Sequence, residues 1–160
     1  MRGGGGPVQT PPLVIKFNRY GEFSWLLYYS PHSMLYEDKL YLTALHLFEA
    51  RKFLPYRPDL AARVRRCEHV EQVTSISAEL ADFVRRDWND IMLSAMDEVL
   101  YLKFCQHDDL RTLFLDTYPA ELVYESRNPF WGGDGAGAGR NELGKSLTRV
   151  REWLRSGGDM

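Results

Sequence analysis

With 160 residues, 44% of them hydrophobic and 26% charged, the chain can bury one sizeable core, which excludes disorder as its overall state. A formal net charge of −2 supplies no global basic field, so composition alone points to neither nucleic acid nor an acidic membrane. No apolar run is long enough to span a bilayer, no secretory signal is legible, and the two cysteines, Cys67 and Cys105, match neither a disulfide framework nor a zinc site; a reducing location, cytoplasmic or nuclear, is expected by default.

Residues 1–12 are rich in Gly and Pro and read as a mobile tail, residues 13–156 as the domain, and residues 157–160 as a short C-terminal tail. Leu13–Phe17 reads as a strand. Trp25–Ser30 is apolar and aromatic and stops at Pro31. Ser33–Leu42 reads as two short strands around a Glu37-Asp38 turn that lacks the glycine of a strong hairpin signal. The periodicity then becomes helical. Thr43–Leu54 carries a Thr cap and ends at Pro55, with Leu45, Phe48, Glu49 and Lys52 on one stripe. A helix with a basic face starts near Pro58, and another is expected over Ser77–Arg86 with Ser77 as its cap. Asp87–Gln106 is the longest helix, capped by Asp87, with Ile91, Ala95, Val99 and Leu102 facing the core. A helix over His107–Tyr118 and a short strand at residues 120–126 follow. A glycine-rich loop leads to a last helix, Asn141–Ser156, capped by Asn141. The expected fold is a single α+β domain, mostly helical, with one small sheet and a C-terminal helix after the glycine loop.

The loop itself, Asn128–Lys145 ("NPFWGGDGAGAGRNELGK"), places glycines before a helix start, flanked by Arg140 and Lys145. Glycine lets backbone approach a ligand, and a helix N-terminus offers unpaired N–H groups, so the segment is either an anion cradle or a surface loop. It is neither a dinucleotide fingerprint nor a P-loop, because no apolar strand leads into it and its Gly-Lys pair lies inside the helix. No cofactor is implied.

The run "FWGGDGAGAGRNELGKSLTRVRE" resembles the closing signature of the NADAR (YbiA-like) family. "DWNDIMLSAMDEVLYLKFCQHDDLRTLFLDT" is similar to its Trp helix, K-F-x-Q element and following helix, and "LTALHLFEARKF" to its T-x-E-H-x-x-x-A-x-K-F helix. The resemblance runs in one register over residues 17–155. It implies a YbiA-like domain that binds a ribosyl phosphate or an ADP-ribosylated nucleobase, free or in nucleic acid, and that hydrolyses N-glycosidic bonds, as on early riboflavin intermediates. No membrane partner is implied, and no partner protein is identifiable.

N-glycosidic cleavage builds positive charge on the ribose, which calls for a carboxylate; the heterocycle calls for a stacking surface and phosphate for cations. The resemblance assigns ligand binding to Lys52, Trp88, Asn128, Trp131, Gly132, Gly139, Arg140 and Asn141. For Trp88 and Trp131 the alternative is core packing, for Lys52 a solvated helix position, and for Asn141 a helix cap. His46 matches the family histidine but reads as a satisfied buried group, and with no second helical His it forms no metal motif.

Two positions depart from the family pattern. Leu45 stands where the family acid precedes His46, and Asn128 stands where the family carries an aspartate before Trp131. Loss of such a carboxylate costs on the order of 10²–10⁴ in rate. Glu49, one helical turn after Leu45, and Asp134, inside the loop, are the candidate replacements. Three readings follow. The protein is an N-glycosidase working through Glu49 or Asp134, or a catalytically impaired module that binds nucleotide or ADP-ribose, or an interaction protein whose pocket Leu45 and Trp25 have filled.

Overall fold

The computed structural model describes residues 13–158; the expected tail over residues 1–12 and the last two residues lie outside that range. Strand β1 (Val14–Phe17) alternates exposed Val14 and Lys16 with buried Ile15 and Phe17. It pairs in parallel with β4 (Glu121–Tyr124), Val14 opposite Glu121. The helical body is therefore a crossover between two strands far apart in sequence. Strands β2 (Met34–Tyr36) and β3 (Lys39–Tyr41) form an antiparallel hairpin. Glu37 and Asp38 turn it with φ values of 50° and 64°, the left-handed geometry that two-residue hairpins demand. The strands thus make two two-stranded sheets within the expected mostly helical domain, because β1 pairs with β4 and not with its sequence neighbours.

Helix α1 (Ala44–Ala50) is buried on every side and forms the centre of the molecule. Thr43 caps it, its hydroxyl accepting from the His46 N–H at 3.2 Å. The helix ends at Ala50, short of the expected Leu54, and turns carry the chain to α2 (Pro58–Arg65). Helix α3 spans Val70–Glu79, so Ser77 lies near its end and caps nothing. The start is instead set by Gln72, whose side chain accepts from the N–H groups of Glu68 and His69 at 3.1 and 3.2 Å. Helix α4 (Trp88–Gln106) buries Ala95 and Val99, while Ile91 and Leu102 are half-buried. Asp87 precedes it without capping it, because its carboxylate is held by Arg85 at 2.6 and 2.9 Å.

Two residues at the end of α4 organise the N-terminal segment. Lys103 is fully buried, and its ammonium donates to the carbonyls of Trp25 and Leu27 and to the Ser30 hydroxyl. The Gln106 amide bonds both the N–H and the C=O of Leu35 at 2.8 Å, which occupies the outer edge of β2. Helix α5 (Asp108–Leu115) leads to β4, and α6 (Glu142–Ser156) packs between β4 and α4. Among the described residues no helix is long and apolar enough to cross a membrane.

Helix α6 approaches β4 so closely that a Cβ on Gly144 would collide with the Leu122 carbonyl oxygen. Just before it, Asn141 sits at the cap position with φ 52°, yet its side chain makes no cap bond. Its amide accepts from the Tyr124 N–H and donates to the Leu122 C=O, both at 2.9 Å, as a neighbouring strand would.

Candidate active site

Four aromatic rings from four parts of the chain converge. Phe48 of α1 lies 5.2 Å from Trp88, the first residue of α4, and meets Trp131 edge-on at 5.7 Å. Tyr28 lies 6.4 Å from Trp131. Phe48 and Trp88 are buried, whereas Tyr28 and Trp131 are half-buried, so the cluster has an inner floor and an accessible rim. Tyr28 has its hydroxyl proton held on by burial first, then by the nearby Tyr124 and by the charge of Glu49.

Helical spacing places Glu49 beside Phe48 and one turn beyond Leu45. Only 9% exposed, its carboxylate is ion-paired with Lys52 Nζ at 2.6 Å and accepts from Ser77 Oγ at 2.7 Å. Both contacts fall on Oε2. Oε1 has no hydrogen-bond partner among the described residues and is not sealed from solvent. Lys52 Nζ also stands 5.9 Å from the Trp88 ring centre. The structure therefore brings together Glu49, Lys52, Trp88 and Trp131 among the residues singled out in the sequence. It gives Lys52 a carboxylate partner, a task distinct from the solvated position or phosphate contact expected of it.

The remaining positions shape this site from outside. The Asn128 side-chain oxygen accepts from the N–H groups of Phe130 and Trp131 at 2.9 and 3.0 Å, fixing the turn that presents the indole. An aspartate would make the same bonds, so the Asp-to-Asn departure preserves this turn. Gly132 is packed against Ser126 and the Tyr124 carbonyl, and Gly139, at φ +81°, against the backbone of Gly132 and Gly133. Neither glycine has room for a side chain.

The expected anion cradle is closed by the protein itself. The amides of Asn141, Glu142 and Leu143 donate to the carbonyls of Gly132, Phe130 and Trp131 at 2.9, 3.0 and 3.0 Å. The buried Glu142 carboxylate also occupies the first turn, 3.4 Å from Lys145 and 3.7 Å from Arg140. The glycines from 135 to 139 line a separate groove of about 620 Å³ with Arg140, Asn141 and Lys145, and none of Glu49, Lys52, Trp88 or Trp131 lines it. Asp134 is exposed, and its Oδ1 accepts from the N–H groups of Ala136 and Ala138 at 2.7 and 3.1 Å; these bonds hold its carboxyl below the ordinary range. Its oxygen secures the loop, which leaves Glu49 as the carboxylate beside the aromatic rings. Arg140 is connected to them through Phe130: its guanidinium lies 4.8 Å above that ring, which meets Trp131 edge-on at 4.8 Å.

Leu45 is 4% exposed and part of the core. Trp25 packs edge-on against Phe104 at 6.3 Å, away from the Trp131 cluster, and so does not fill it. His46 is structural. The Cys67 carbonyl, 2.9 Å from Nε2, can only accept, so Nε2 carries the proton and Nδ1 accepts from the Thr43 hydroxyl at 2.8 Å. No group of three or more potential metal ligands occurs among the described residues. Reading the sequence missed Tyr28 and Ser77. The aromatic excess was the only signal for Tyr28, and Ser77 carried none, since its partner lies 28 residues away.

A family model described as the NADAR domain matches residues 16–155. The N-glycosidase YbiA of Escherichia coli strain K12 is 33% identical over 138 residues, which cover 84% of this chain and 82% of that protein. The N-glycosidase Npun_R5314 of Nostoc punctiforme is 32% identical over 139 residues, covering 86% of this chain and 87% of its own. The riboflavin biosynthesis protein VVA0006 of Vibrio vulnificus is 35% identical over 132 residues, which are 82% of this chain but 35% of that longer protein. The NMR structure of Escherichia coli YbiA superimposes with a TM-score of 0.82 at 27% identity, over 93% of this chain and 89% of that one.

Proposed function

This chain belongs to the NADAR domain family, and from that premise we propose that it hydrolyses the N-glycosidic bond of a ribosyl-phosphate or ADP-ribosyl compound with Glu49 as the working carboxylate. The observation that carries the reading is the state of Glu49: buried beside Trp88, clamped through one oxygen, with the other open. The half-buried indole of Trp131 and the Tyr28 ring offer a stacking surface for the heterocycle. Water attacks the anomeric carbon, the carbon–nitrogen bond breaks, and its electron pair leaves with the base. Glu49 takes the proton of the attacking water and stabilises the positive ribose; that proton then passes to the departing nitrogen.

The buried leucine at the family acid position favours a second reading, an impaired binding module. A product assay with pyrimidine riboside phosphates and with DNA carrying ADP-ribosylated guanine separates the two. Turnover by the native protein that falls about 10²–10³-fold in Glu49→Gln is expected. Ligand binding by calorimetry without turnover, joined to a gain of activity in Leu45→Glu, would establish the impaired module instead.

A further inference from the structure

We infer that Ser77 is a positioning residue: its hydroxyl, delivered by α3, holds the Glu49 carboxylate of α1 in its working orientation. The inference rests on the reading that Glu49 carries the chemistry.

A hydroxyl inside a helix ordinarily bonds back to a carbonyl of the preceding turn. Ser94, Thr74, Thr112 and Thr148 all do so here, to Ile91, Glu71, Asp108 and Gly144 at 2.8–3.1 Å. Ser77 does not. Buried at 5% exposure, it donates its single proton across to Glu49 Oε2 at 2.7 Å. Its oxygen lies 3.4 Å from Lys52 Nζ, which grips the same carboxylate oxygen at 2.6 Å. The lysine grip alone comes from the turn that follows α1, three residues on, through a long and flexible side chain. Ser77 adds a short, rigid donor from a second element. An ion-paired cation and a hydroxyl donor from a second element on one oxygen fix the carboxylate, so Oε1 points to one place. A reacting group must be placed to within about 1 Å.

Beyond Glu49 and the Lys52 ammonium paired with it, nothing about the position asks for a hydroxyl. Ser77 caps no helix, and its neighbours along α3 are exposed Ala78 and half-buried Ile76. Alanine removes the bond without adding volume, and threonine restores the donor.

Two measurements test the inference. In steady-state kinetics on the substrate found by the product assay, Ser77→Ala is expected to lower kcat about tenfold with KM within a factor of about two, and Ser77→Thr to recover most of it. A kcat that does not change in Ser77→Ala overturns the proposal. So does a fall that threonine fails to rescue while the thermal midpoint drops in parallel. The second measurement needs no turnover. With carboxyl-13C-glutamate labelling, the Glu49 resonance is identified by its loss in Glu49→Gln. Movement of that resonance in Ser77→Ala, with return in Ser77→Thr, shows that the serine sets the carboxylate's environment. An unmoved resonance overturns it. A native protein without turnover whose resonance moves would sink the N-glycosidase reading while leaving the serine's hold on Glu49 established.

Discussion

Two carboxylates in this domain are buried, paired with a cation and touched by a serine, yet their surroundings differ. Asp97 of α4 has both oxygens engaged by Arg149 of α6 at 2.9 and 3.0 Å, and the Ser146 hydroxyl donates to Oδ1 as well. Every strong direction of that carboxylate is occupied, which is the pattern of a structural joint. Glu49 keeps one oxygen open beside aromatic rings. Asp97→Asn is accordingly expected to lower stability by about 1–3 kcal/mol in urea unfolding, with turnover per folded molecule retained, since hydrogen bonds to a buried charge are lost. Glu49→Gln is expected to do the reverse, lowering turnover about 10²–10³-fold while stability shifts by less than about 1 kcal/mol, because glutamine still accepts from Ser77. The opposite assignment of effects would show that the site has been placed on the wrong carboxylate. Residue-scale roles were unevenly legible. Trp88, Trp131 and Lys52 could be marked from motif matches, whereas Ser77 could not, because a lone serine acquires meaning only when α3 is docked on α1. Asn128 and Asn141 could be marked as special, but not as devices that bind backbone, since that depends on which carbonyls and amides the fold brings within reach.

Elements with strong local signals formed where the sequence placed them. Pro58 opens α2, Asp108 and Asp109 lie in the first turn of α5, and Thr43 caps α1. The failures lie where long-range contacts decide. The start of α3 was missed because its cap is a glutamine reaching backward, a weak signal beside the more familiar serine at 77. Parallel pairing of β1 with β4 is invisible locally, because more than a hundred residues separate the partners. The β2–β3 hairpin is informative in another way. Its turn places two residues with side chains at positive φ, 50° and 64°, each at a conformational cost of about 1 kcal/mol. The hairpin persists because Met34 and Tyr41 are buried beneath it and Gln106 holds its edge. Asp38→Gly is therefore expected to raise stability by about 0.5–1 kcal/mol, read as a higher urea midpoint at unchanged slope. Gly144→Ala is the contrary case. At that position the residue is in ordinary helix and alanine has the better propensity, yet its Cβ would strike the Leu122 carbonyl. A loss of about 2 kcal/mol or more is expected, and stabilisation by alanine would contradict the close docking of α6 on β4.

At the scale of the whole molecule, the interior is short of partners for positive charge, and this fixes how stability depends on pH. His46 is held neutral chiefly by burial, against a weaker opposing bond to the Cys67 carbonyl. His32 is pushed down by burial, then by the charges of Lys103 and His107. Burial alone brings the Lys103 ammonium down to about 7, and the three oxygens around it are neutral groups. In each case the folded value lies below the unfolded one, so the unfolded chain binds more protons between the two values, and there stability rises with pH. For the histidines the window extends downward from about 6.5, where unfolded imidazole titrates. For Lys103 it extends upward from about 7 toward 10.5. The two windows adjoin, so stability is expected to climb from mildly acidic pH to about 9, past the pH 5–8 interval in which most proteins are most stable. Urea unfolding at intervals from pH 5 to 9 measures this directly. His46→Asn should flatten the acidic half of the curve and Lys103→Met the alkaline half, whatever each does to stability at a single pH. A native curve that is level above pH 7, or one that Lys103→Met leaves unchanged in slope, would mean that the buried ammonium keeps its proton throughout, its three oxygen partners outweighing the desolvation.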